Sequence, residues 1–218
     1  MLGKLTKKPY IYRMKLFQVL YVFLLWIGLH LCCEEQSLPV PIRHLCKCED
    51  GPSLVCKGLN STKGLEVPKA SINDIQAPTN PFEKVVALHI QDSKIQCIDL
   101  AHLMAFPILR TLSVTKSGLS TFLCANSNPI QLPAHLQRLN LAGNFLTQVS
   151  KEDLDHLQHL QELDFSQNRI SEIPSRAFSK LSKLQKLDLS NNRLNEDLNP
   201  TVFKTLPKSL KTLDISSK

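Results

Sequence analysis

The stretch Leu160-Gln161-Glu162-Leu163-Asp164-Phe165-Ser166-Gln167-Asn168-Arg169-Ile170, followed by Ile173, Pro174, Phe178 and Leu181, decides the fold. It opens on an apolar-x-x-apolar-x-apolar core. The last two apolar residues alternate with polar ones, which is the period of a half-buried strand. The same core returns as Val85/Leu88/Ile90, Leu109/Leu112/Val114, Leu136/Leu139/Leu141, Leu184/Leu187/Leu189 and Leu210/Leu213/Ile215. Successive copies start 24, 27, 24, 24 and 26 residues apart. A period of this kind specifies a solenoid, in which each copy buries its apolar side against the next. Function is then to be sought on an extended surface and not in a single pocket.

Three residues beyond the core, the copies carry Ser93, Ser117, Asn144, Asn168 and Asn192. An Asn there turns inward and hydrogen-bonds the backbone of the turn that leaves the strand. Stacked copies thus form a polar ladder. Ser has less reach, so the first two turns are expected to be less firmly tied. The persistence of this polar position argues against a set of Leu-rich amphipathic helices, whose periodicity would not preserve it.

The repeats resemble the leucine-rich repeat family in its extracellular type, with about 24 residues per repeat. Leu160 to Lys183 match the family pattern at every diagnostic position, Pro174 and Phe178 included. The resemblance runs from Val85 to the end of the chain. It implies an α/β solenoid: a leucine-rich repeat horseshoe with a parallel β-sheet on its concave face. Short 3-10, helical and irregular segments would form the convex face. Two copies depart from the pattern. Ser120 to His135 carry three extra residues, and the copy from Leu184 carries two. Both read as loops on the convex or lateral side.

Lys4, Lys7, Lys8, Arg13 and Lys15 precede an uncharged apolar run, Leu16 to Leu31. A basic flank before a short apolar core reads as a secretory signal peptide, here residues 1–33, with Met14 an alternative start. The run is shorter than the roughly 20 residues of a spanning helix, which argues against an uncleaved anchor. Removing residues 1–33 takes away five basic groups and no acidic ones, and brings the formal charge of +7 to +2. The basic balance therefore gives no support to nucleic-acid binding.

Cys46, Cys48 and Cys56 resemble the cysteine-rich cap that precedes extracellular leucine-rich repeats. That resemblance assigns residues 34–83 to the cap and 84–218 to six repeat copies, the last one truncated. Family pairing, first to third and second to fourth, implies the bridges Cys33–Cys48 and Cys46–Cys56, with Cys32 an alternative to Cys33. A cut after Cys32 leaves six cysteines, an even number, and the implied third bridge is Cys97–Cys124; a cut after Cys33 would leave an odd thiol. Cys-x-Cys lacks the two-residue gap of a zinc site, and no metal or other cofactor is expected. The cap region is rich in proline and should be irregular, with a short strand near Leu54–Cys56. Asn60, followed by Ser61 and Thr62, is an acceptor for N-glycosylation. Beyond Lys218 no closing cysteine cluster follows, so the chain reads as a fragment or short isoform whose last strand is covered on one side.

On this fold the residues flanking the inward places face the concave side. The middle column is His89, Ser113, Asn140, Asp164, Asp188 and Asp214, with Arg138, Glu162 and Lys186 beside it. Its far half is acidic, which fits a partner with a basic patch. Aromatic anchors are missing from this stripe, so high affinity would come from lateral loops or from further repeats. No catalysis is indicated. Ser113 and Lys116 have the Ser-x-x-Lys spacing without its companion motifs. His156 and His159 lack a third ligand. Seven glycines form no phosphate loop. Ser150 to Asp153 read instead as a helix start.

The chain therefore reads as an extracellular or cell-surface protein-binding module. The first expectation is the N-terminal ectodomain part of a receptor or adhesion protein; the alternative is a secreted matrix or guidance protein. The expected partner is a protein held on the concave face or lateral loops. A membrane would enter only through a missing C-terminal part or an uncleaved leader.

Overall fold

The computed structural model describes residues 43–49, 52–60, 80, 82–124, 133, 135–194 and 200–217. The leader, Cys32, Cys33 and the two residues that complete the Asn60 acceptor lie outside them. Eight strands form one sheet in chain order. They are β1 (Cys46–Glu49), β2 (Ser53–Lys57), β3 (Ala87–Gln91), β4 (Thr111–Thr115), β5 (Arg138–Asn140), β6 (Glu162–Asp164), β7 (Lys186–Asp188) and β8 (Thr212–Asp214). From β2 onward every neighbouring pair is parallel; only β1 and β2 are antiparallel. Among the described residues, helix is confined to three short pieces: α1 (Leu100–Leu103), α2 (Lys151–Leu154) and α3 (Pro200–Lys204). This is the parallel solenoid that the repeat period specifies.

The register follows the repeats. Leu54, Leu88, Leu112, Leu139, Leu163, Leu187 and Leu213 are successive partners across the sheet. One central copy shows how a repeat is held. Leu163, Phe165, Ile170, Phe178 and Leu181 are all at most 2% exposed. Burying each contributes about 1.5–3 kcal/mol. Before every copy the chain closes a tight turn, with the copy's first N–H donating to the carbonyl three residues back, as Leu160 does to Leu157. On the side away from the sheet, Phe82 stacks on Phe106 with ring centroids 4.7 Å apart.

The polar ladder leaves each strand through a left-handed residue. Asp92, Lys116, Gly143, Gln167 and Asn191 all have φ between 48° and 70°. The residue that follows each of them turns inward. Asn168 donates from Nδ2 to the carbonyls of Leu141, Phe165 and Ser166, and its Oδ1 accepts from the Leu146 N–H. Asn144 and Asn192 repeat the arrangement. Ser93 and Ser117 each accept from one N–H of the preceding turn and donate to a carbonyl of their own. The shorter side chain thus makes two polar contacts where Asn makes at least four.

The cap strand is more than a cover. β2 carries the repeat geometry without the repeat sequence: Gly58 takes the left-handed place at φ 71°, and the Leu59 N–H donates to Ser93 Oγ. The strand near Leu54–Cys56 is present, and β1 adds one that the sequence did not suggest. Cys46 is bonded to Cys56 across β1 and β2, and Cys97 to Cys124 between consecutive copies. Cys48 is also disulfide-bonded, with its partner outside the described residues. At the other end, Leu210 and Leu213 are partly buried and Ile215 is 47% exposed, since no described residue packs on its far side. Ser150 caps α2 by accepting from the Asp153 N–H, which buries Leu154 and Leu157 as expected.

Candidate protein-binding surface

Period-two alternation sends every second strand residue to the outward face of the sheet. His89, Ser113, Asn140, Asp164, Asp188 and Asp214 are partners in one column. Arg138, Glu162 and Lys186 are partners in the next. Arg138 Nε bonds Glu162 Oε1 at 3.1 Å, with both side chains about half exposed. A pair so solvated contributes about 0–1 kcal/mol and mainly fixes the two side chains.

The acidic residues have a local task as well. Asp164 Oδ1 accepts from the Ser166 N–H at 2.9 Å. Asp188 Oδ1 accepts from the Ser190 N–H and hydroxyl, and Asp214 Oδ1 from those of Ser216. Asn140 makes the same contact with the Ala142 N–H. Each is a side chain bonding its own backbone two residues on, a device that ends a strand in a turn. The amide of Ser216, then its hydroxyl, hold the Asp214 carboxyl below the usual range, with burial opposing weakly and Lys186 adding to the fall. An ionised carboxylate has about four acceptor places, so one occupied oxygen leaves others for a partner. The turn bond also fixes where they point. The signal was in the sequence as a recurrent Asp-x-Ser, which the surface reading passed over.

Burial redraws the outward stripe. Ser113 is 7% exposed, because its short side chain sits between His89 and Asn140. Ser166 and Ser190, which follow the inward Phe165 and Leu189 and so take the outward place by alternation, are buried in the turns just described. His89, Asn140, Asp164 and Asp188 are half-buried, and Arg138, Glu162, Lys186 and Asp214 exposed. The accessible stripe is therefore narrower at its front and charged over its rear half. Asn60 is exposed just past β2. Among the described residues no group of three metal-ligating side chains comes together. His159 instead accepts from the Lys183 ammonium at Nδ1, 2.9 Å away, and its ring lies 6.5 Å from that of His135.

Known proteins agree with this geometry. Family models described as leucine rich repeat match residues 134–194 and 183–206. The chain is a leucine-rich repeat protein, and the same register continues through β3 and β4 ahead of the matched residues. Its fold is similar to a chain of the Drosophila Toll–Spatzle complex, at 21% identity, with a TM-score of 0.52 over 65% of this chain and 20% of that one. An internalin from Listeria monocytogenes is 19% identical, with a TM-score of 0.47 over 65% of this chain and 38% of that one. A leucine-rich repeat protein of Leptospira interrogans is 22% identical, with a TM-score of 0.49 over 66% and 34%. The chain thus spans about a third or less of the length of most of these structures. No curated protein matches it by sequence.

Proposed function

We propose that this chain is the N-terminal ectodomain part of a leucine-rich repeat cell-surface receptor or adhesion protein, and that it holds a protein ligand on the outward face of its sheet. The observation that carries this reading is the column Asp164, Asp188 and Asp214, with Glu162 beside it. These are carboxylates in register on a rigid sheet, three of them pinned by their own turns. Preorganised acceptors lose little freedom on binding and favour a partner with a basic patch. Disulfides at Cys46–Cys56 and Cys97–Cys124 suit an oxidising compartment. So do the basic-apolar leader at residues 1–33 and the exposed acceptor Asn60. The similar fold in the Toll–Spatzle complex, a hub in Drosophila development and innate immunity, is in keeping with this reading.

An antibody against the repeats, applied to intact cells that make the protein, tests it. Surface staining and a glycosidase-sensitive shift that Asn60→Gln abolishes are expected. Recovery only in the medium would point to a secreted matrix protein. A cytosolic, reduced product retaining Met1 or Met14 would overturn both readings.

A further inference from the structure

The residue following each ladder position lies on the edge of the solenoid where the strands end. There Lys94, Gly118, Phe145, Arg169 and Arg193 form a column. Its order is fixed by backbone bonds: Lys94, Phe145, Arg169 and Arg193 each donate an N–H to a carbonyl of the turn before. Phe145 is 48% exposed. The Arg169 guanidinium carbon sits 4.2 Å above the centre of its ring. Two places earlier in the turns, the stem of Lys116 lies along Gly143, where an added Cβ would come within 3.1 Å of Lys116 Cγ. Lys94, Lys116, Arg169 and Arg193 are exposed, and Asp92 is the one carboxylate in these two columns. None of the four cations belongs to an ion pair among the described residues.

We infer that this edge is a second docking surface, separate from the sheet face, for a carboxylate-rich segment of a protein partner anchored at Phe145 and Arg169. The cation–π contact with the Phe145 ring restrains the Arg169 guanidinium, whose N–H donors form a rigid planar fork. That fork matches a carboxylate bidentately. An exposed aromatic ring with arginine is the composition of an interface hot spot, which the sheet face lacks. Lys94 to Arg193 span four inter-strand steps, about 19 Å, the reach of a short acidic loop. The apolar ring among the cations favours a peptide, with an aliphatic side chain for the ring, over a uniform polyanion.

The test uses the full chain with its disulfides formed and a fluorescein-labelled peptide of glutamates around one central leucine. Anisotropy should show salt-sensitive binding. Arg169→Gln and Phe145→Ala should each weaken it about tenfold. Lys183→Gln removes the same charge elsewhere and should change it by less than about twofold. Asp188→Asn on the sheet face should leave it unchanged, so this surface and the proposed sheet-face function fail independently. Three results would overturn the inference: no binding, equal weakening by Lys183→Gln, or indifference to Phe145→Ala. Tighter binding of a heparin oligosaccharide that Phe145→Ala leaves intact would overturn it too, in favour of a glycan.

Discussion

Replacing Asn168 with Leu tests the ladder at its centre. Leu keeps the branched four-heavy-atom shape and opens no cavity, so the change mainly reads hydrogen bonding, with some added bulk from its methyls. Asn168 touches four backbone groups. Three are carbonyls, and each keeps a second donor: Leu141 from Asn144, Phe165 from Asn192, and Ser166 from the Gly143 N–H. The Leu146 N–H has no such reserve and is stranded inside the turn. Its desolvation costs about 1–3 kcal/mol. Nδ2 carries two hydrogens, so the three carbonyl contacts amount to two bonds, worth about 0.5–1.5 kcal/mol each. Together the loss is about 2–6 kcal/mol, a large part of the roughly 5–15 kcal/mol that holds a domain folded. Urea unfolding followed by circular dichroism should show a much lower midpoint. Ser117→Ala also strands an N–H, that of Ser93, but one held only by a 3.4 Å contact, and it removes a single bond to a carbonyl. It should cost less, toward the low end of about 1.5–4.5 kcal/mol. If the two variants unfold at the same midpoint, the additional bonds of Asn are not what holds the ladder, and the reasoning fails.

Asp188→Asn keeps an oxygen for the Ser190 N–H and should barely move the urea midpoint, whereas Asp188→Ala frees the turn and should cost about 1 kcal/mol. A basic partner on the sheet face should lose affinity with both variants, so lost binding by Asp188→Asn at unchanged stability would separate docking from the turn. Bridge Cys97–Cys124 closes a separation of 27 residues and Cys46–Cys56 one of 10. In the chain-entropy account, serine pairs at these places cost about 3.5 and about 2.7 kcal/mol. The order of the two urea midpoints checks this. Burial, then the Glu152 charge, push the Asp153 carboxyl up, against the Ser150 hydroxyl. A folded acid with a raised pKa destabilises once pH passes its unfolded value, and the penalty disappears below that value. Asp153→Asn should therefore raise the midpoint near neutrality and lose its advantage in acid; an equal gain at both would point to helix capping instead.

The repeat positions were legible because each is constrained twice. Leu163 must face inward by strand alternation and must also meet Leu139 and Leu187 across the sheet. Asn168 must both bond its own turn and catch the N–H of the turn before. A place under two constraints recurs in every copy, and recurrence is what a sequence displays. β1 and β2 escape that logic. Ser53 to Lys57 have no Asn ladder and no copy to match, yet they pair in parallel with β3 along their whole length, and the Ser93 hydroxyl accepts from the Leu59 N–H in the turn that follows. The first repeat thus supplies what the cap lacks, and only the three-dimensional register shows it.

The candidate surfaces were less legible for the converse reason. The place after each ladder residue holds Lys94, Gly118, Phe145, Arg169 and Arg193, with nothing in common among them. Packing requires nothing there, so no pattern betrays that Phe145 and Arg169 meet. Yet the ladder fixes the backbone beneath them, and their meeting depends on it. The sheet face shows the opposite case. Asp164, Asp188 and Asp214 recur because turns need them, and recurrence alone therefore says nothing of a ligand. A ligand function must instead be sought in charge that the turn does not use. That is why the isosteric change to Asn, which keeps the turn and removes the charge, is the decisive substitution on that face. On the lateral edge Phe145→Ala can be read directly, because an exposed ring has no turn to hold.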